Sequence, residues 1–420
     1  MSRNQTGVTA MPDVSFTNLL VVAAVAVLAP LVVGYFTRLR IPAVVLEIIG
    51  GIIVGPSVLG WVHIDLPIQI LALFGLAFLL FLAGLEIDVH RLRGRLLRFA
   101  VLGYLVTLVL GYGAGASFKA AGWVSQPLLL AIMLASTALG LIVPVLKDAR
   151  QLQGEIGQSA LAAASVADFT AIVLLSLFFS SSGGSTGSKV VVLGAFAGLV
   201  AVTGLAVSGA ARSMRLGQVL VRLQDTTAEI RVRFAVLLLV AFTALAARFG
   251  LESILGAFLA GAIVGLVDRD SASHPRFRTK LEAIGYGFLV PVFFVSSGIR
   301  LDLTGLLHSP SALVRVPVFL LALLVVRGLP ALLRLRANGL KPTLALGFLQ
   351  ATSLPFIVAA TQIGVMLGKI TPVTAAALVC AGLLSVLIFP VLALTLLQHG
   401  EPEPEPAAAE AVPVREANVM

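Results

Sequence analysis

One carboxylate in the middle of an apolar run is where chemistry is expected. Asp168 lies in Leu161–Phe179, LAAASVADFTAIVLLSLFF, with no lysine or arginine on the same stretch. A helix needs about 20 apolar residues to cross the hydrocarbon, and a carboxylate at its centre costs roughly 2.5–3.5 kcal/mol on insertion scales. An acid hydrogen-bonded to a neighbouring helix is the structural alternative; the rest of the chain favours an acid that binds a charged species. Two sets of hydroxyls point the same way. Ser136 and Thr137 precede Gly140 and Pro144, while Gln350, Thr352 and Ser353 precede Pro355. Proline removes a backbone donor and glycine loosens a helix, which frees carbonyls and hydroxyls to line a cavity. Taken singly, such residues are ordinary in membrane helices, where a hydroxyl bonds back to its own backbone. Together with Asp168 they form a set of hard oxygens suited to a small monovalent cation, Na⁺ or K⁺.

Those residues need membrane helices to hold them, and the composition provides them. Of 420 residues, 59% are hydrophobic and 12% charged, about half the charge fraction of a soluble domain. The fold class expected is an all-α polytopic membrane protein. Apolar runs predict thirteen spans, near 16–36, 41–61, 66–87, 98–118, 125–146, 156–180, 189–210, 231–248, 251–267, 281–299, 311–333, 342–365 and 371–397. One set of alternate loops carries most of the basic residues, among them Arg38, Arg40, Arg91, Arg93, Arg150, Arg212, Arg276, Arg334 and Lys341. The other set holds Arg3, Lys119, Lys189, Arg248, Arg300 and Lys369. That bias puts the N-terminus outside and the C-terminus in the cytoplasm of a cell membrane protein. It also accounts for the net charge of +9 without nucleic acid, since the positive charge faces the anionic leaflet. Arg315 and Arg327 fall inside the eleventh span and are expected to snorkel to its ends.

The start, MSRNQTGVTAMPDV, lacks the pattern of a cleaved signal, and the lone Cys380 excludes a disulfide framework. The expected organisation is an external segment at 1–15, a first membrane repeat with a connecting helix at 16–210, a cytoplasmic linker at 211–230, a second repeat at 231–397 and a disordered acidic tail at 398–420. A short flexible loop is expected at Ser181–Ser188.

The two halves share motifs. Gly50–Gly55 (GGIIVG) resembles Ala260–Gly265 (AGAIVG), Ala83–Val89 (AGLEIDV) resembles Ser297–Leu303 (SGIRLDL), and Ala135-Ser136-Thr137 matches Ala351-Thr352-Ser353. Each pair keeps nearly the same offset and all fall in order. With the seventh span as connector, spans 1–6 and 8–13 enter from opposite sides, giving an inverted-topology repeat with two crossed discontinuous helices, spans five and twelve. Such folds place the site at the midplane where broken helices meet.

At these residues the chain resembles a known family. Ile41–Val45 (IPAVV) through Gly55–Gly60 (GPSVLG), Phe78–Asp88 (FLLFLAGLEID), Ser136-Thr137-Ala138, Ala167-Asp168 and Phe293–Gly298 (FFVSSG) are similar to the monovalent cation:proton antiporter-2 family, with its Kef-type and NapA-like members. The resemblance covers nearly the whole membrane part. It implies a homodimeric, elevator-type exchanger of Na⁺ or K⁺ for H⁺, not an enzyme and without a cofactor, in which Asp168 occupies the ion-binding carboxylate position. Two departures bear on mechanism. Electrogenic members often carry a second acid before the essential one, where this chain has Ala167, and span ten has no Lys or Arg from Leu281 to Gly298. Kef-type members usually carry a cytoplasmic regulatory domain, which the short acidic tail is not expected to supply.

The site expected is thus Asp168 with Ser136, Thr137, Thr352 and Ser353 as cation ligands, and Glu47, Gln350 and Ser296 as candidate pathway residues. Glu47 is read as a snorkelling or helix-packing residue before a pathway one, and Glu86 and Asp88 as interfacial partners of Arg91 and Arg93. Desolvation favours neutral Asp168 and a bound cation favours its charged form, so proton and cation compete for one carboxylate and exchange is electroneutral. An intramembrane aspartyl protease would need a second central Asp, and a phosphate-driven pump a GxxxxGK[ST] loop, neither of which occurs. A same-fold symporter of organic anions, disfavoured because no cation is expected near Asp168, and a cation-sensing protein with little transport are the rivals.

Overall fold

Proline sets where many of the helices begin. Pro127, Pro275, Pro310, Pro355 and Pro372 each occupy a first helical position, where the missing N–H has no partner to lose and the fixed φ suits the helix. The computed structural model describes residues 16–35, 42–86, 94–148, 150–179, 186–211, 229–267 and 275–398. The external segment 1–15, most of the linker 211–230, residues 181–185 of the expected loop, the tail from 399, and Asp88, Arg91 and Arg93 lie outside the described residues.

In chain order the helices are α1 (Thr17–Tyr35), α2 (Ala43–Val54), α3 (Leu66–Leu85), α4 (Gly94–Ala120), α5 (Pro127–Leu134), α6 (Leu139–Asp148), α7 (Glu155–Phe179), α8 (Thr186–Ala211), α9 (Ile230–Arg248), α10 (Ser253–Val267), α11 (Pro275–Ile284) and α12 (Val290–Ile299). There follow α13 (Leu303–Leu307), α14 (Pro310–Leu323), α15 (Leu335–Asn338), α16 (Leu340–Ala351), α17 (Pro355–Met366) and α18 (Pro372–Gln398). A π turn at Gly285–Leu289 joins α11 to α12, and a second at Leu324–Gly328 leads from α14 into a 3₁₀ turn at Leu329–Arg334. Among the described residues there is no strand, and nine helices are long and apolar enough to cross a membrane. Shorter apolar helices at Ala43–Val54, Pro127–Val143, Val190–Val200 and Ser253–Leu266 fall inside the other expected spans.

The helices sort into two groups by what they touch. In the first, α2 packs on α1 and α12, α3 on α10 and α12, and α9 on α10. In the second, α4 packs on α5 and α7, α16 on α7 and α18, and α14 on α18. Helix α8 touches both groups, through α7 and α10. Close packing in the first group depends on glycine. A Cβ on Gly261 of α10 would stand 1.9 Å from the carbonyl oxygen of Phe81, and one on Gly84 of α3 would stand 2.1 Å from that of Phe258. The pair Gly51 on α2 and Gly298 on α12 repeats the arrangement, each 2.1 Å from the facing carbonyl, of Val295 and Ile48. Small residues that let two backbones approach drive helix association in lipid, where no hydrophobic force does. The motifs that resemble each other between the halves thus pair crosswise, α2 with α12 and α3 with α10.

The consequence is measurable. Gly261→Ala forces a backbone clash that no side-chain rotation relieves, so the purified protein should lose roughly 1–3 kcal/mol of stability, as in other overpacked cores. Thermal unfolding in detergent checks this against Gly113→Ala, where an added Cβ meets nothing within 4 Å. Equal melting temperatures for the two variants would contradict the packing argument.

Candidate functional site

The two helix breaks have different causes. Between α16 and α17, Pro355 cannot donate to the preceding turn and Leu354 is pushed off helical geometry, with φ −146° and ψ −57°. Thr352 there is extended. Between α5 and α6 no proline stands at the junction; Ser136 turns its hydroxyl onto the Met133 carbonyl at 2.8 Å, and the chain runs unwound to Leu139.

The breaks meet each other. Ala138 N donates to Thr352 O at 2.8 Å, the Ser136 and Ser353 hydroxyls share a hydrogen bond at 2.7 Å, and Thr137 Oγ1 donates to Gln350 O at 2.8 Å. Ser385 of α18 then serves the second break from behind: its Oγ accepts from Ser353 N at 3.1 Å and lies 3.0 Å from Ser353 O. Freed backbone groups at membrane depth are thereby bonded within the protein, the condition under which irregular backbone is tolerated there.

Asp168 of α7 stands beside the first break. Its Oδ1 is 3.4 Å from Thr137 N, and Leu139 N at the start of α6 also faces it. The N-terminus of a helix favours negative charge. Half-buried, Asp168 opens onto a cavity of about 60 Å³ between the two helix groups. Val44, Leu79, Leu80, Ala83, Glu86, Tyr286 and Phe294 line it from the first group, and Thr137–Leu141, Asp168, Ile172, Pro355 and Phe356 from the second. Ala167, beside the acid, is fully buried and packs with Ala135 and Tyr104. A carboxylate at that position would be buried against these two side chains.

The other residues expected at the site divide. Thr137 lines the cavity, whereas Ser136, Thr352 and Ser353 are completely buried in the meeting of the breaks. Thr352 Oγ1 bonds back to Phe348 O at 3.1 Å. Gln350 lends its carbonyl to Thr137 while its side chain lines a separate cavity of about 20 Å³. Ser296 is buried and returns its hydroxyl to Phe293 O at 2.8 Å. Glu47 is 5% exposed within α2, away from the cavity of Asp168, with Oε2 unbonded among the described residues. It is packed between helices rather than reaching an interface.

Arg327 overturns the expectation of snorkelling. It is 1% exposed, the largest fully buried side chain among the described residues. Its Nε and Nη2 donate to Thr137 Oγ1 at 2.9 and 2.5 Å, and Nη1 reaches Thr107 Oγ1 at 3.4 Å. It sits on the π turn at Leu324–Gly328, and such turns recur at functional sites. Thr137 therefore links the two charges, its hydroxyl held by Arg327 and its N–H facing Asp168. The assumption that no cation lies near Asp168 fails with it. Yet Arg327 faces the separate cavity, with Tyr104, Ser159 and Gln350, and not the one that Asp168 lines. An arginine about two turns inside an apolar helix was the available signal, because such a residue marks a site by default. Arg315 does not snorkel freely either; Nη1 donates to Thr374 Oγ1 at 2.9 Å and the guanidinium lies 5.5 Å from the Trp123 ring centre. Glu86 and Tyr286 reach the cavity without any signal that the sequence offered. Arg327 and Tyr286 both sit on π turns, which hydropathy does not reveal.

The chain is similar to known proteins. YjbQ of Bacillus subtilis is 32% identical over 414 residues, covering 94% of this chain and 65% of that protein. The Na⁺/H⁺-K⁺ antiporter GerN of Bacillus cereus is 28% identical over 273 residues, covering 64% of this chain and 68% of its own. The chain thus spans about two thirds of the length of these relatives. The solved structure of the sodium proton antiporter MjNhaP1 from Methanocaldococcus jannaschii shares the fold, with a TM-score of 0.59 at 19% identity, covering 91% of this chain and 97% of that one. Residues 23–397, which include both helix breaks, Asp168 and Arg327, match the family described as sodium/hydrogen exchanger, transmembrane, and to that family this chain belongs.

Proposed function

We propose that the protein is a secondary antiporter that exchanges Na⁺ or K⁺ for H⁺ across a cell membrane by elevator-type movement of the second helix group against the first. The observation that carries this reading is Asp168, an acid at the meeting of two helix breaks and open to the cavity between the groups. Proton and cation compete for its carboxylate. The carboxylate holds either one proton or one cation, and an empty ionised Asp168 is costly to carry past apolar walls. The loaded forms are the ones that move, which enforces exchange.

Thr137 and the carbonyls of its break are the oxygens nearest to help Asp168 hold the cation; Ser136, Thr352 and Ser353 serve by fixing the meeting of the breaks. The crosswise pairing of Gly51 with Gly298 and Gly84 with Gly261 supports an inverted repeat of spans 1–6 and 8–13, with thirteen spans in all. The basic loops support an external N-terminus and cytoplasmic C-terminus, with segments 1–15, 211–230 and 398–420 outside the membrane, and family resemblance supports a homodimer. An organic-anion symporter is disfavoured because Arg327 is turned away from the cavity of Asp168 and bonded to Thr137.

Exchange should be electroneutral. Asp168 is the one central acid on the second group among the described residues, and Ala167 places no second acid beside it. In proteoliposomes, adding Na⁺ or K⁺ should dissipate an imposed pH gradient at a rate insensitive to clamped potential. Transient currents that scale with turnover would reveal a second titrating group. Cation binding without any dissipation would instead identify a sensor.

A further inference from the structure

Glu86 stands where α3 ends, on the first helix group, and lines the same cavity as Asp168. Its Oε2 is buried and, among the described residues, has no hydrogen-bond partner. A carboxylate oxygen left unbonded at such a depth is costly, and the sequence expected this residue to be spent in interfacial ion pairs. Among the described residues, two charges act on it most directly, Arg278 and Glu282. Arg278 of α11 is a cation that acts on it, but its Nη2 is given to the Leu85 carbonyl at 2.6 Å and it lines no part of the cavity. Glu282 adds a second negative charge, and Asp168 a third across the cavity. Tyr286, on the first group, reaches across the same cavity: its hydroxyl lies 3.4 Å from where a Cβ on Gly140 of α6 would be, so this glycine leaves space for it beside the unwound break.

The geometry points to Glu86, on the wall opposite Asp168, as a staging site for the monovalent cation, with the Tyr286 hydroxyl facing the same cavity. The chemistry is that of two hard oxygens, one anionic, in a cleft with apolar sides. Such a cleft concentrates the field and raises the local cation concentration by roughly 10–1,000-fold in strong cases. The site belongs to the group that does not carry Asp168. It therefore acts on capture and release at the face onto which the cavity opens, and takes no part in the crossing. The inference rests on the exchanger reading above and adds a residue that sets apparent affinity on one side of the membrane.

The test is cation-dependent exchange in proteoliposomes of uniform orientation, with Na⁺ supplied to either face of wild type, Glu86→Gln, Glu86→Asp and Asp168→Asn. Glu86→Gln should raise KM about 3–10-fold at the cavity face, the low end of such field effects. Its maximal rate should change less than about 2-fold, the opposite face should keep its KM, and Glu86→Asp should restore most of the affinity. An unchanged KM at both faces overturns the staging site, and so does an equal shift at both faces with a reduced maximal rate, which marks a packing role. Should Glu86→Gln fail to fold, Tyr286→Phe removes the other oxygen from the same cavity and carries the same one-sided expectation. A wild type without exchange defeats the exchanger reading itself, Asp168→Asn with full exchange defeats the single-carboxylate mechanism, and both are distinct from the results above.

Discussion

Asp168→Asn should abolish exchange while the protein still folds and purifies. The amide keeps the shape of the carboxylate and can still accept from Thr137 N, now 3.4 Å away. It cannot cycle between a charged and a neutral form, so it can take neither a proton nor a cation as the alternating load. Arg327 loses a nearby opposite charge in the variant, but its hydrogen bonds to Thr137 and Thr107 are untouched, which is why folding should survive. Two measurements check this. Dissipation of a pH gradient on adding Na⁺ or K⁺ should fall to the rate of empty liposomes, and the rise in melting temperature that cation gives the wild type by binding the native state should vanish. Near-normal dissipation by the variant would falsify the single-carboxylate mechanism.

Arg327→Ala should be the most damaging substitution to stability. The guanidinium makes a fork that holds Thr137 Oγ1 through two nitrogens and reaches both Gln350 O and Thr107 Oγ1 at 3.4 Å. Alanine leaves a cavity, strips the Thr137 hydroxyl of its donors and removes the positive charge on the far side of Thr137 from Asp168. Removing one member of a buried charged set typically costs about 3–5 kcal/mol. The variant should melt well below wild type and exchange poorly. Arg327→Lys restores charge without the planar fork, so it should recover part of the stability and less of the transport. A melting temperature within a degree of wild type for the alanine variant would mean that the meeting of the breaks holds itself together.

The helix order was legible because hydropathy and proline act locally. Apolar length placed the long described helices near expected spans, though not the short α13 and α15, and Pro355 alone is enough to explain why α16 and α17 are separate. Asp168 was legible for the same reason: a lone acid in Leu161–Phe179 has a cost that no neighbour along the chain repays. The shared glycine motifs were visible as well, although not that they pair crosswise.

What the tertiary structure decided is where side chains end and which backbones touch. The break after α5 has no proline at its junction; it is held by the Thr352 carbonyl, more than two hundred residues away in the chain. Arg327 was read as reaching water because a long basic side chain near a span end commonly does. It sits instead on a π turn at Leu324–Gly328 and bonds inward to Thr137, and no local pattern encodes that placement. Glu86 lies beside arginines in sequence, yet it lines the cavity of Asp168 because α3 packs against α10 and α12. The hydroxyls of Ser136 and Ser353 went into joining the breaks and that of Thr352 back to Phe348 O, since a buried hydroxyl takes the nearest acceptor that packing offers. Residue type fixes what chemistry a side chain can do; the azimuth of its helix, set by distant contacts, fixes which cavity receives it.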